Sequence, residues 1–324
     1  MRILVTGGAG FIGSNFVRQT VRNEYPALAG AEVTVVDKLT YAGRRENLEP
    51  VSGSPALRFV EGDICDGPLM REVMRGADLV VHFAAESHVD RSISGAEEFV
   101  RTNVLGTQTL LTAALEAGVG RFVHVSTDEV YGSLDAGGTP WTEEEPLAPN
   151  SPYAASKASA DLMVLAFHRT HGLPVCLTRG SNTYGPYQYP EKIIPLFVSN
   201  LLAGRKVPLY GDGANVREWL HVDDHCRGVA LVAEGGEPGG IYNVGGGTEL
   251  TNRELTERLL ELLGVDRSMV EQVADRKGHD RRYAMDISRI SAALGYKPTV
   301  PFEDGLAATV DWYRQHHGLW GAGA

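Results

Sequence analysis

The 324-residue chain carries 30 lysines and arginines against 41 aspartates and glutamates, a formal charge of −11. That balance argues against a general nucleic-acid binder, which presents a basic face, but leaves room for a small anionic ligand held by a few arginines. With 43% hydrophobic and 22% charged residues, the composition is that of an ordinary globular protein with one large or two modest domains. No apolar run approaches the ~20 residues of a membrane span. The N-terminus runs straight into RILVTGG without a signal-peptide pattern. Cys65, Cys176 and Cys226 are widely spaced and odd in number, which fits neither a zinc site nor a disulfide framework. A soluble cytoplasmic protein with no membrane or nucleic-acid partner is expected.

Along the chain, RILVTG (2–7), EVTVVD (32–37), LRFVEGD (57–63), DLVVHFAA (78–85), RFVHVST (121–127) and PVCLTRG (174–180) read as strands. Continuous Val/Ile/Leu runs of this kind belong to strands buried on both faces. Between them, FIGSNFVRQTVRNEY, EEFVRTNVLGTQTLLTAALEAG and PYAASKASADLMVLAFHRTHG have helical spacing. The third has Asn150 and Ser151 as cap candidates, Pro152 near its first turn and Gly172 at its end. The alternation predicts a βαβ series and a doubly wound parallel sheet. After about residue 180 the texture becomes turn-rich (NTYGPYQYP, PLYGDGANV, GGEPGG), with shorter helices such as TNRELTERLLELLG. We expect residues 1–180 to form a Rossmann domain and 181–324 a smaller mixed α/β substrate lobe. A segment near 221–245 is expected to return to the main sheet.

The first strand opens into GGAGFIG, with Gly7, Gly10 and Gly13 at three-residue spacing. Glycines there let the backbone approach a pyrophosphate, which the helix N-terminus attracts through its free N–H groups and dipole. Asp37 ends the second strand 24 residues after Gly13, where a carboxylate accepts from ribose hydroxyls and repels a 2′-phosphate. NAD is therefore expected, while Lys38, Arg44 and Arg45 keep NADP open. Asp63, ending the third strand, is a candidate adenine contact.

Asp128 and Glu129 stand side by side in STDEVYG, where the fifth strand surfaces at the ligand-binding edge of such a sheet. Paired carboxylates repel and are costly to desolvate. They are either a solvated turn with a capping Asp or an acid and a base whose pKa values are split. Farther on, YAASK places Tyr153 and Lys157 four residues apart, on one helix face. An ammonium beside a phenol favours phenolate, a general base for alcohol oxidation. Ser126 or Thr127 is a candidate hydrogen-bond partner for a substrate hydroxyl.

Taken together, GGAGFIGS, the Ser/Thr–Tyr153–Lys157 set and the two-lobed layout resemble the extended short-chain dehydrogenases/reductases. FAAESHVDRSI, STDEVYG, NSPYAASK, YGPYQYPEKIIP and PLYGDGANVREW narrow the likeness to the dTDP-glucose 4,6-dehydratases over nearly the whole chain. The resemblance implies an NAD-dependent lyase. Tyr153 takes the C4 hydroxyl proton, Thr127 binds the C4 oxygen, Asp128 is the acid at the C6 hydroxyl and Glu129 the base at C5. It extends the cofactor set to Phe11, Ile12, Lys38, Thr40, Ile64, Ala84 and Ala85. A homodimer is implied too, with the helices near 96–117 and 152–171 pairing between copies.

For the nucleotide sugar, Asn182, Arg217 and Arg276 are candidate diphosphate anchors, with Asn252 as a further polar contact. Glu191, Lys192, Pro208 and Tyr210 are candidates to frame the base, and Glu86, Ser87 and His88 to face the sugar. One departure from the family pattern is Thr183 in SNTYGP, where members commonly carry a second Asn. HVDDH (221–225) superficially suggests metal ligands, but capping or packing is the expected role. Three alternatives stay open: the same chemistry on UDP-glucose, a nucleotide-sugar 4-epimerase, and a non-catalytic NAD-binding module.

Overall fold

Residues 1–316 are described by a computed structural model of the chain. Strand β1 (Arg2–Thr6) passes through the glycine turn into α1 (Phe11–Val21). There follow β2 (Glu32–Asp37), β3 (Leu57–Glu61), α2 (Gly67–Met74), β4 (Leu79–His82) and α3 (Val89–Ser94). A helical path runs from α4 (Glu97–Phe99) through a π-helical turn at Val100–Gly106 into α5 (Thr107–Ala117). Next come β5 (Arg121–Thr127), α6 (Pro152–His171) and β6 (Val175–Gly180). The remainder comprises β7 (Asn182–Tyr184), α7 (Ile193–Leu202), β8 (Val207–Tyr210), β9 (Val216–His221), α8 (Val222–Gly235), β10 (Ile241–Val244) and β11 (Thr248–Thr251). It ends with α9 (Asn252–Leu263), β12 (Val270–Val273), α10 (Ser288–Leu294) and α11 (Phe302–His316).

Seven parallel strands form one sheet in the order β10-β6-β5-β4-β1-β2-β3, which contains the doubly wound arrangement expected from the sequence. Side chains alternate across it. Ile3 and Val5 pack with Phe16 and Val17 of α1 and Val229 and Val232 of α8 on one face. On the other, Leu4 packs with Met70 of α2, Leu110 of α5 and Val164 of α6. Both faces are covered, which is why the strands read as unbroken apolar runs. Helix α8 is followed by β10, which pairs with β6 as the seventh strand. The mixed sheet β11-β9-β7 and the pair β12-β8 build the second lobe around Phe197, Leu255, Leu306 and Tyr313.

Two helices differ from expectation. Helix α1 stops at Val21 rather than running to Tyr25, because Asn23 takes a left-handed conformation at φ 61° that a helix cannot continue. The stretch 97–118 is not uniform: its π-helical turn lets Asn103 donate to the carbonyl of Glu86 (3.0 Å) and to Ser156 Oγ (2.8 Å). Asn103 Oδ1 also accepts from the Glu86 amide at 2.9 Å. By contrast α6 has the anticipated ends, with Ser151 accepting from the Ala154 amide and Gly172 in the left-handed conformation.

Candidate active site

A cleft of about 430 Å³ opens along the carboxyl ends of the parallel strands and is closed on its far side by the second lobe. Its floor is the glycine turn. Gly7 sits at φ +70°, where a Cβ would meet the Ala84 amide nitrogen at 2.5 Å, and a Cβ on Gly13 would lie 2.3 Å from the Gly7 carbonyl. The turn and helix are thus pressed together with no room for side chains, and α1 begins at Gly10 without a side-chain cap, its first amides lining the cleft. Asp37 accepts from the amides of Ala9 and Leu39, both at 2.9 Å. Burial nevertheless raises its carboxyl, the two amides opposing the rise. Phe11, Ile12, Thr40, Ile64, Ala84 and Ala85 line the same end.

Each of the cations that kept NADP open has an acidic partner, Lys38 within the cleft itself. Lys38 pairs with Asp63 at 2.8 Å, Arg44 with Glu46 at 3.5 Å and Arg45 with Glu61 at 3.2 Å. Neither arginine lines the cleft. A bare amide cradle and an acidic β2 end fit NAD.

At the centre of the cleft, β5 ends at Thr127 and turns sharply through Asp128–Tyr131. The Thr127 hydroxyl donates to Asp128 Oδ1 (3.1 Å) and accepts from the Glu129 amide (3.3 Å), with the Tyr153 phenol close by. Asp128 is 2% exposed, and its other oxygen has no hydrogen-bond partner. Burial pushes its carboxyl well above the usual carboxylate range, with Glu129 and then Glu218 adding repulsion. Glu129 is raised by burial too, but Lys192, Arg276 and Arg217 all draw it back. Two adjacent carboxyls therefore have unlike settings: Arg217 acts on both, but Glu129 and Glu218 outweigh it at Asp128, whereas three cations outweigh Asp280 at Glu129.

Lys157 does not lower the Tyr153 pKa as anticipated. Its ammonium donates to the Val125 carbonyl at 2.8 Å, while burial, followed by Glu129, holds the phenol well above its usual range. Burial brings Lys157 itself down to about 8. Tyr153 is a phenol in this structure because it lies in an apolar site beside carboxyl groups, where a phenolate is disfavoured.

The second lobe supplies polar and cationic groups. Asn182 lines the cleft with its buried Oδ1 lacking a partner, and so does Arg276 with its Nε. Arg217 donates to the carbonyls of Val216 (2.7 Å) and Asp280 (3.0 Å), with its guanidinium 4.2 Å from the centre of the Tyr283 ring. Lys192 donates to the Ser87 carbonyl at 2.6 Å. Glu191 pairs with Arg91 at 3.3 Å, and His88 lies 3.9 Å from it. Pro208, Tyr210 and Asn252 complete the wall, with Ser126, Glu86 and Ser87 opposite.

Sequence reasoning missed Asn103, which braces Glu86 in the loop before α3, and Tyr283, whose hydroxyl donates to Asp280 at 2.5 Å beneath Arg217. Tyr283 lies seven residues beyond the candidate Arg276, in the stretch DRKGHDRRY; Asn103 had no signal, since its role depends on a π-helical turn. Thr183 bonds His225 Nδ1 at 2.7 Å and donates to the Ser181 carbonyl. In HVDDH, His221 caps α8, and no cluster of three metal-ligating residues exists among the described residues.

Fold and site together define an enzyme of the extended short-chain dehydrogenase/reductase class. The family model described as GDP-mannose 4,6 dehydratase matches residues 4–309. A dTDP-glucose 4,6-dehydratase of Streptomyces antibioticus is 61% identical over 324 residues, covering 99% of this chain and 94% of the relative. The crystal structure of DesIV, a dTDP-glucose 4,6-dehydratase from Streptomyces venezuelae with NAD and TYD bound, is 65% identical. It superposes with a TM-score of 0.97 over 99% of both chains. A UDP-glucose 4-epimerase from Thermotoga maritima shares the fold at 34% identity and a TM-score of 0.89, covering 97% of this chain and 99% of its own. The chain belongs to the nucleotide-sugar 4,6-dehydratase family, with dTDP-glucose 4,6-dehydratases among its near relatives.

Proposed function

We propose that the protein is an NAD-dependent dTDP-glucose 4,6-dehydratase, converting dTDP-glucose to dTDP-4-keto-6-deoxyglucose. The observation that carries this reading is the unlike setting of Asp128 and Glu129 beside Tyr153. NAD, held by the glycine turn, Asp37 and the residues around Ala84, supplies a hydride acceptor at C4 and returns the hydride at C6. Tyr153, once deprotonated, takes the C4 hydroxyl proton as a phenolate and becomes a phenol; Lys157 supplies the positive charge that favours the phenolate beforehand, and Thr127 holds the C4 oxygen. The ketone makes the C5 proton acidic. Glu129 removes it, and Asp128, kept protonated by burial, gives its proton to the departing C6 hydroxyl. Asn182, Arg217 and Arg276 hold the diphosphate, with Asn252 beside them. Ser87 faces the sugar, and Glu191, Lys192, Pro208 and Tyr210 frame the nucleobase.

A 4-epimerase would use Tyr153 and Lys157 but has no task for the two carboxyls. The test is incubation with dTDP-glucose and, separately, UDP-glucose in deuterated water. Loss of one water with deuterium at C5 is expected, faster with dTDP-glucose. An isomerised hexose of unchanged mass overturns the reading, and a preference for UDP-glucose changes the base.

We also propose that the protein works as a homodimer. Val100, Leu105, Leu115 and Leu162 are exposed apolar side chains on the path from α4 to α5 and on α6, and a second copy is the occupant that would cover them. Cytoplasmic residence is supported by the free Cys65, Cys176 and Cys226. No helix among the described residues is long and apolar enough to cross a membrane.

A further inference from the structure

Behind the cleft lies a set of buried ionisable groups that the chemistry above does not use. Asp161 is 0% exposed and sits on α6 one turn beyond Lys157, on the same helix face. Arg179 of β6, 2% exposed, donates through Nε to Asp161 Oδ2 at 2.9 Å. The guanidinium is held in turn by the Tyr131 hydroxyl at 2.8 Å and by the Tyr131 ring, 4.7 Å from its centre. The second carboxylate oxygen, Oδ1, has no hydrogen-bond partner and lies 3.5 Å from His124 Nε2. His124 immediately precedes Val125, whose carbonyl receives the Lys157 ammonium.

The groups facing Lys157 come from three elements. Helix α6 contributes Tyr153 and Asp161, β5 contributes His124, and β4 contributes His82. Both imidazoles are neutral at ordinary pH, since burial depresses them, and neither brings negative charge. Arg179, from β6, is positive. Asp161 is therefore the anion that offsets the desolvation of Lys157. A buried charge is costly unless paired, and Arg179 with Tyr131 fixes the Asp161 carboxylate one helical turn from Lys157.

We infer that Asp161 is a positioning residue for the Tyr153–Lys157 pair, its anchored carboxylate keeping Lys157 an ammonium in the desolvated wall of the cleft. It touches no reacting atom and acts through Lys157. The inference rests on the reading of Tyr153 and Lys157 as the proton-handling pair.

The chain has six lysines, so lysine labelled with carbon-13 at Cε gives a countable spectrum in which Lys157→Arg identifies one resonance. In Asp161→Asn the Lys157 midpoint should fall by about one pH unit or more, the scale of losing a close opposite charge. Asp161→Glu should restore most of the shift, and the alkaline limb of kcat/KM should move with the midpoint. A folded Asp161→Asn protein with an unmoved midpoint overturns the inference, as does a loss of turnover without any movement of that limb. If Asp161→Asn does not fold, the wild-type protein still decides. The Asp161 carboxyl carbon should show a step at the Lys157 midpoint, and a flat trace there overturns the proposal. Failure of the underlying reading looks different: Tyr153→Phe would keep turning over while the Lys157–Asp161 coupling persisted.

Discussion

Asp128 and Glu129 are chain neighbours whose side chains enter different electrostatic surroundings. The turn after Thr127 leaves Asp128 beside Glu129 and Glu218, while Glu129 faces Lys192, Arg276 and Arg217. Burial raises both carboxyls, but the anions add to the rise at Asp128 while the cations oppose it at Glu129, a difference that an elimination can use and a solvated turn does not need.

The two carboxyls should be separable by mutation. Glu129→Gln is expected to lower turnover about 10²–10⁴-fold and to stop deuterium entering C5. Asp128→Asn should lose turnover on a similar scale yet still exchange the C5 proton, because the base and the C4 oxidation remain. Proton NMR of the sugar in deuterated water reads both, and full turnover by either variant would sink the assignment.

The glycine turn makes a structural prediction. Gly13→Ala places a methyl group 2.3 Å from a backbone carbonyl that cannot swing aside, so helix and turn must part. A loss of about 1–3 kcal/mol in thermal stability is expected together with weakened NAD binding, measured by calorimetry. Unchanged NAD affinity would remove the turn from the cofactor site.

Arg217 is expected to act in binding. Arg217→Met removes a guanidinium that Tyr283 and Asp280 hold in place, and a lost charge-assisted hydrogen bond costs about 1.5–3 kcal/mol. Steady-state kinetics should show KM for the nucleotide sugar rising roughly ten- to a hundredfold, with a smaller change in kcat. Asn182→Ala should act in the same direction; a pure kcat effect in both would place them at the chemistry instead.

Activity and stability should respond oppositely to alkaline pH at Lys157. The phenolate needs the ammonium, so kcat/KM should fall as pH rises through about 8. In the same fold that lysine is depressed from its ordinary 10.5, so between about 8 and 10.5 the unfolded chain binds more protons. The group's contribution to stability therefore rises with pH across that window. A pH–rate profile and denaturant melts of wild type against Lys157→Met test both; an alkaline limb that survives in wild type only well above pH 9 contradicts the assignment.

Leu162, 59% exposed on α6, tests the assembly. Leu162→Glu should convert the proposed homodimer to a monomer by light scattering. A wild-type mass already monomeric at micromolar concentration removes the dimer from the account.

Much of this architecture was legible in the chain. Strands buried on both faces must be apolar throughout, and RILVTG and RFVHVST read so. Pro152 and Gly172 mark the ends of α6 because their backbone preferences leave little choice. The glycine spacing, the carboxyl pair and the Tyr-x-x-x-Lys helix are local patterns, and the structure brings their residues to one cleft. Asn103 was not legible, because a widened helical turn follows from tertiary bonding to Glu86 and Ser156 rather than from propensity.

The sequence by itself therefore determined the elements, the sheet and the chemistry-bearing residue types, all of which depend on neighbours within a few positions. Only the tertiary structure decided how differently Asp128 and Glu129 are surrounded and why Tyr153 remains a phenol. Those are questions of burial and of charges from strands and helices remote in sequence. Desolvation and Coulomb energy depend on distance in space, which the order of residues does not record.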